Sequence, residues 1–311
     1  KFLILLLILE IAILTALNPD FCRINNLVEI LQFGATLAFL AIGESLVILS
    51  ILGGIDISIG SIVSLACVVF GKTYQLSGSI FVSCIAAIIA GALMGMINGF
   101  MVGIINMSSL IATLGTQYIF SSIALYITNG VALSGFPESF EWLSLKTTFG
   151  IPNQILFAVI PATIIMCILV YKTRFGRNIY LTGDNAVAAK FAAVNTKRTI
   201  FFVFVIAGIL SAIGAIINCS WLMTARADAG SGMEMSAITI AMLGGISAVE
   251  GGRGSLSGVI VGTIIITMLN SGLQMAGINT IWRLAITGLI LIVSIILNDV
   301  MNRLVLKQAK A

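Results

Sequence analysis

Two carboxylates stand where the rest of the chain is oily. Glu44, in FLAIGESLVILS, lies well inside an apolar run, where an ionisable group is expensive and so a functional candidate by default. Asp56 follows Gly53 and Gly54 in GGIDISIGS. Either group suits a cation or a solute hydroxyl. Equally, Glu44 suits a protonated or hydrogen-bonded carboxyl at a helix contact, and Asp56 with Ser58 suits the exposed N–H groups that open a helix. Asn98 and Asn270 recur in similar settings, MINGF and MLNSG, and Gln274 lies one turn after Asn270 on the same face. Amides lining a cavity match a neutral polyol, which needs many hydrogen bonds and no counter-charge. Interhelical hydrogen bonding without a ligand accounts for the same residues. Thr113, Thr116 and Gln117, in IATLGTQYIF, are weaker candidates of the same kind.

Covalent chemistry is disfavoured. The chain has no histidine, which removes the commonest general base and metal ligand. Its five cysteines, Cys22, Cys67, Cys84, Cys167 and Cys219, show no C-x-x-C spacing and mostly lie in apolar runs, so they are expected to be small core residues with no metal site. Phe70-Gly71-Lys72-Thr73 imitates the end of a phosphate-binding loop, but the first glycine of that motif would fall on Ala66 and no strand precedes it. Any ATP used in this chain's service is therefore expected on another chain. Glu10, beside no other polar residue, is expected to be structural or interfacial.

The elements that must hold these residues are membrane spans. Of 311 residues 59% are hydrophobic and 9% charged, against about 25% charged in a soluble domain, and the mean hydropathy is +1.15. At about 20 apolar residues per span, ten segments emerge, at about 2–17, 28–51, 55–71, 79–105, 108–128, 154–171, 200–221, 236–249, 256–276 and 281–303. No small-residue cleavage site follows the first of them, so it is expected to be a span and not a cleaved leader. The expected class is an all-α polytopic membrane protein with about ten transmembrane helices in a single domain, 1–311. The +4 net charge does not suggest nucleic acid, because the basic residues form no stripe with interleaved aromatics.

Orientation comes from 172–199, the one long polar interruption. It carries Lys172, Arg174, Arg177, Lys190, Lys197 and Arg198 against Asp184 alone, and short basic loops are retained in the cytoplasm. Alternation from that loop puts the amino terminus and the tail with Arg303, Lys307 and Lys310 inside too. Within the loop, DNAVAAKFAAV is rich in helix formers and predicts two or three helical turns between Gly183 and Asn195.

Glycine marks the irregular places. Segments 55–71 and 236–249 adjoin Gly53-Gly54 and Gly251, Gly252 and Gly254, and such interruptions are tolerated only where protein or a water-filled cavity covers the freed backbone. Gly91, Gly95, Gly99 and Gly103, and again Gly254, Gly258 and Gly262, recur every four residues and predict smooth strips for close helix packing. GGIDISIGS at 53–61 resembles GGISAVEGGRGS at 244–255. Both turns are expected on the inner side, so they do not make an inverted repeat.

Taken together, GGIDISIGS, FMVGIINMSSLIATLGT (100–116), YITNG (126–130), the stretch 173–198 and the stretch 230–278 resemble the permease subunits of bacterial ATP-driven sugar importers of the ribose type. That resemblance covers most of the chain. It implies a multi-pass protein of the bacterial cytoplasmic membrane that forms the path for a sugar or sugar-like solute and is itself no enzyme. It also implies a cytoplasmic ATPase that binds ATP and magnesium, a second permease copy or homologue, and a periplasmic or lipid-anchored binding protein. The family's docking pattern falls here on Gly183, Asn185, Ala188 and Ala189, with Asp184 where glycine is common. Glu44, Asn98, Asn270 and Gln274 are the expected translocation-path residues. Charge placed at Ala188 or Ala189 is expected to uncouple ATP hydrolysis from transport without preventing insertion. The rival expectation is an ion-driven secondary transporter with Glu44 and Asp56 as ion sites.

Overall fold

The computed structural model describes residues 2–296 apart from 280, 284 and 295. The chain is a helical bundle with one short antiparallel β-hairpin, Thr147–Thr148 against Ile151–Pro152; its helices are α1 (Phe2–Leu17), α2 (Ile24–Ser50), α3 (Ile59–Ser77), α4 (Ile80–Gly99), α5 (Ser109–Thr128), the single turn α6 (Glu141–Ser144), α7 (Ile160–Lys172), α8 (Arg174–Asp184), α9 (Ala186–Phe191), α10 (Thr196–Leu222), α11 (Met233–Leu243) and α12 (Leu256–Met275). A further apolar helix follows at Ile281–Ser294. Among the described residues seven helices are long and apolar enough to cross a membrane, and Leu3–Leu17, Met233–Leu243 and Ile281–Ser294 are shorter apolar helices on the remaining predicted segments. The end of the last predicted span and the basic tail Arg303, Lys307 and Lys310 lie outside the described residues.

Helix breaks follow local chemistry. Pro161 has no N–H to give to the carbonyl of residue 157, and immediately before it the helix loosens into a π turn, Ile155–Val159, where the Ile160 N–H reaches back to the Ile155 carbonyl. At the centre stands α2, whose most apolar stretch is 94% buried, against 11% for 155–172 on the periphery. A helix apolar all round belongs inside the bundle. Both glycine ladders serve close packing. Gly91, Gly95, Gly99 and Gly103 lie against the α10 backbone at Gly208, Phe204, Phe201 and Lys197, and Gly258 and Gly262 lie against Gly244 and Ile240 at the end of α11. The FGKT stretch is helical within α3 and builds no phosphate loop. Of the cysteines, Cys67 and Cys219 are core residues, whereas Cys22 is exposed, because it sits in the short turn after α1 and not in a packed span.

Two helices start partway through the bundle. After α2 the chain turns at 51–54, runs back as non-helical backbone, and opens α3 only at Ile59, four residues later than the apolar pattern predicts. After α10 it likewise returns through 223–232 before α11, whose 11 residues span about 16 Å at about 1.5 Å each, half a hydrocarbon core. The two re-entrant segments meet where the backbones of Gly60 and Gly230 touch. The similar turns at 53 and 244–254 lie side by side at the 172–199 end, where the Gly53 N–H donates to the Ala248 carbonyl at 3.1 Å.

Candidate functional site

A buried polar layer surrounds the broken segment before α3. Non-helical backbone at membrane depth leaves N–H groups that must find partners, and here four successive ones are met by four different side chains. Ile55 N donates to Ser109 Oγ (3.2 Å), Asp56 N to Glu44 Oε1 (3.1 Å), Ile57 N to Thr113 Oγ1 (3.1 Å) and Ser58 N to Asp56 Oδ1 (2.9 Å). The chain of bonds continues sideways. Ser58 Oγ donates to Asp56 Oδ1 (2.6 Å), Asn98 Nδ2 donates to Ser58 Oγ (2.7 Å), and Thr116 Oγ1 donates to Asn98 Oδ1 (2.8 Å). Glu44, Ser58, Asn98 and Thr113 have no exposed surface, and Asp56 has 1%. The layer therefore ties α2, α4 and α5 to the start of α3.

Asn270 and Gln274 lie elsewhere. They line a cavity of about 660 Å³ formed by the start of α2, the ends of α10 and α12, the start of α11 and the 281–294 helix. Its other polar groups include Asn26, Glu29, Ser236 and Arg283, and Trp221 and Phe33 give it an aromatic wall. Arg283 Nη1 donates to Gln274 Oε1 at 2.9 Å, and Ser271 Oγ donates to Asn26 Oδ1 at 3.1 Å. The four path candidates thus divide into two places. They are nonetheless aligned: Ile30, Phe33 and Leu37 line the cavity from α2, and Glu44 continues the same helix face two turns, about 10 Å, below Leu37.

Sequence reasoning passed over Glu29, Trp221, Arg283 and Glu234. Arg283 carried a usable signal, since it is a cation inside a predicted span and the rule that selected Glu44 applies to it equally.

At the opposite end of α2, the 172–199 segment is two helices and not one. Arg174–Asp184 forms α8, and Asn185 separates it from α9, its Oδ1 accepting from Val187 N (3.0 Å) and Ala188 N (2.9 Å) as a helix cap. The α9 helix ends at Phe191, short of the predicted Asn195, because Ala193 turns into the left-handed region. Asn195 instead caps α10 through Arg198 N at 3.0 Å. Gly183 and Ala189 face inward, while Asp184, Asn185 and Ala188 are exposed, together with Val187 (64%) and Phe191 (89%). Tyr180 Oη donates to the Gly254 carbonyl at 3.1 Å, and burial pushes its phenol up to about 12, so it remains a donor at neutral pH.

Residues 26–295 match the family described as branched-chain amino acid transport system / permease component, and the ribose import permease protein RbsC of Escherichia coli K12 is 31% identical over 303 residues, 96% of this chain and 93% of its own length. The chain belongs to this permease family. The autoinducer 2 import system permease protein LsrD of Enterobacter sp. strain 638 is 34% identical over 298 residues (94% and 90%), and that of Salmonella typhimurium LT2 is 32% identical over 297 residues (94% and 88%). No solved structure matches the chain. The permease is a multi-pass protein of the bacterial cytoplasmic membrane and the membrane subunit of an ATP-binding-cassette importer, which displaces the ion-driven alternative. Its relatives are transport subunits.

Proposed function

We propose that this permease carries a neutral polyhydroxylated solute, a sugar or sugar-like molecule, from the cavity through the level of Glu44 and Asn98 to the cytoplasm. The cavity is the observation that carries this reading. Its volume falls within the ~300–1,000 Å³ usual for small-molecule sites, and its amides, hydroxyls and aromatic wall match the edges and faces of a sugar. The solutes in the relatives' names, ribose and autoinducer 2, support the class. One feature favours a second reading: Glu29 and Arg283 offer one charge of each sign, as the ammonium and carboxylate of an amino acid require, and the family's description names branched-chain amino acids.

Orientation follows from charge. The 172–199 end carries Lys172, Arg174, Arg177, Lys190, Lys197, Arg198 and Arg253 against two acids, Asp184 and Glu250, whereas the cavity end has Arg23, Lys72, Lys146, Arg226 and Arg283 offset by five acids, Asp20, Glu29, Glu138, Glu141 and Asp228. By the positive-inside rule the first end faces the cytoplasm, so ten spans with both chain ends inside complete the topology. The separate ATPase, holding ATP and magnesium, then docks on Asp184, Asn185, Ala188 and the apolar pair Val187 and Phe191, with Gly183 and Ala189 packed behind them. A second permease copy or homologue completes the path, and a periplasmic or lipid-anchored binding protein delivers solute to the cavity end.

Uptake by proteoliposomes holding the complete importer decides between the solute classes. Labelled ribose should accumulate with ATP, and excess leucine should not compete. Leucine uptake without ribose uptake would transfer the function to the second reading.

A further inference from the structure

We propose that the segment 53–60 and the turn 244–254 form one rod that carries movement of α8 and α9 to the floor of the solute cavity, with Gly252 and Glu234 as its positioning residues. The inference rests on the docking role given above to α9. Each link is a contact with no slack. At the cytoplasmic end three backbones converge: a Cβ on Gly183 would overlap the Leu49 carbonyl oxygen and come within 2.6 Å of Gly252 N, and Gly252 N donates to that same Leu49 oxygen at 3.0 Å. Tyr180 fastens α8 to Gly254. Backbone packed on backbone transmits displacement, because there is no flexible side chain between the parts to absorb it.

From this junction the Gly53–Ala248 bond joins the two turns, and the four capped N–H groups of 55–58 stiffen the run upward. At its top, Gly60 touches the Gly230 backbone and the Glu234 carboxylate. Glu234 Oε1 accepts from Gly232 N at 3.3 Å, and Gly232 and Met233 line the cavity. Glu234 thus joins the end of the rod to the cavity floor. The route joins the two turns of similar sequence, 53–61 and 244–255, which gives their shared glycine-rich pattern a mechanical purpose.

Two glycines allow a controlled test. Gly53 and Gly252 share the left-handed backbone, at φ +68 and +71, but a Cβ on Gly53 meets nothing within 4 Å, whereas one on Gly252 lies 2.5 Å from the Tyr180 carbonyl oxygen. Alanine at both positions therefore matches for strain and differs in contact with α8. The readout is the labelling rate of Ser236→Cys, in a Cys22→Ser background, by a membrane-impermeant maleimide with and without magnesium ATP and vanadate, in the complete importer.

ATP with vanadate should change the wild-type rate by about tenfold, within the usual range of coupling between sites. Gly252→Ala should abolish that response while the ATPase still co-purifies, and Gly53→Ala should keep it to within about twofold. Tyr180→Phe, which removes the bond to the Gly254 carbonyl without changing shape, should weaken it by about threefold. A normal response in Gly252→Ala, or in Tyr180→Phe should Gly252→Ala fail to insert, overturns the rod, as does equal loss in Gly53→Ala or a wild-type cavity blind to ATP. Phe191→Glu tests docking separately: continued co-purification of the ATPase with that variant refutes the docking role and leaves the glycine comparison to judge the rod.

Discussion

Asn98→Leu should lower the stability of the detergent-solubilised permease by about 2–4 kcal/mol, the scale expected when a buried, doubly bonded amide is lost. Asn98 has no exposed surface and bridges α3 to α5, donating to Ser58 Oγ and accepting from Thr116 Oγ1. Leucine matches its size approximately but can do neither. Ser58 Oγ then loses the amide that donates to it, and the chain of bonds that ends on Asp56 is open to one side. Because the layer also caps the backbone of 55–58, the damage spreads to the start of α3. Thermal unfolding followed by tryptophan fluorescence measures the loss. A melting temperature within a degree of wild type would mean that the layer is not a structural tie.

Ala188→Glu and Ala189→Glu should part company although the residues are neighbours. Ala188 is exposed, so a carboxylate there leaves the fold intact and falls on the proposed ATPase contact; Ala189 is 3% exposed, on the buried face of α9. A charge forced into that contact, with no partner, should cost about 3 kcal/mol or more and deplete the permease from the membrane. The sequence treats the two alanines as equivalent docking residues, and the helix geometry does not. Membrane abundance and ATPase co-purification are read together. Ala188→Glu should show normal abundance with at least about tenfold less ATPase, comparable to losing one interface anchor. Equal abundance of both variants would place Ala189 on the outside of the fold.

Much of the fold was legible because the membrane imposes long apolar helices and glycine strips, and both leave periodic marks. The polar layer was legible in its parts for a related reason. Glu44, Asp56, Asn98, Thr113 and Thr116 are polar residues inside apolar segments, and there is nowhere for them to go but toward one another. What could not be read was which helix ends meet. Asn270 resembles Asn98 in its local sequence, yet α12 ends beside the start of α2 and so puts Asn270 in the open cavity. The α8 helix was missed because its charged residues, Arg174, Arg177 and Asp184, read as loop, while the residues that bury it, Gly176, Ile179, Thr182 and Gly183, recur at helical spacing. Local cues also misjudged Asn195, which is a good cap in either role; the turn at Ala193 decides that it starts α10.

The most direct test of the solute path compares ribose uptake by importers carrying wild-type permease, Asn270→Ala and Gln274→Ala, with ATP hydrolysis recorded in the same proteoliposomes. Gln274 holds Arg283 at the cavity wall and Asn270 sits one turn away. Each alanine should raise the half-saturating concentration of ribose-loaded binding protein or lower maximal uptake by about tenfold, the scale of one or two lost polar contacts, while basal ATP hydrolysis stays at the wild-type rate. Uptake at the wild-type rate in both variants would contradict the account, because the solute would then be crossing the membrane without touching this cavity.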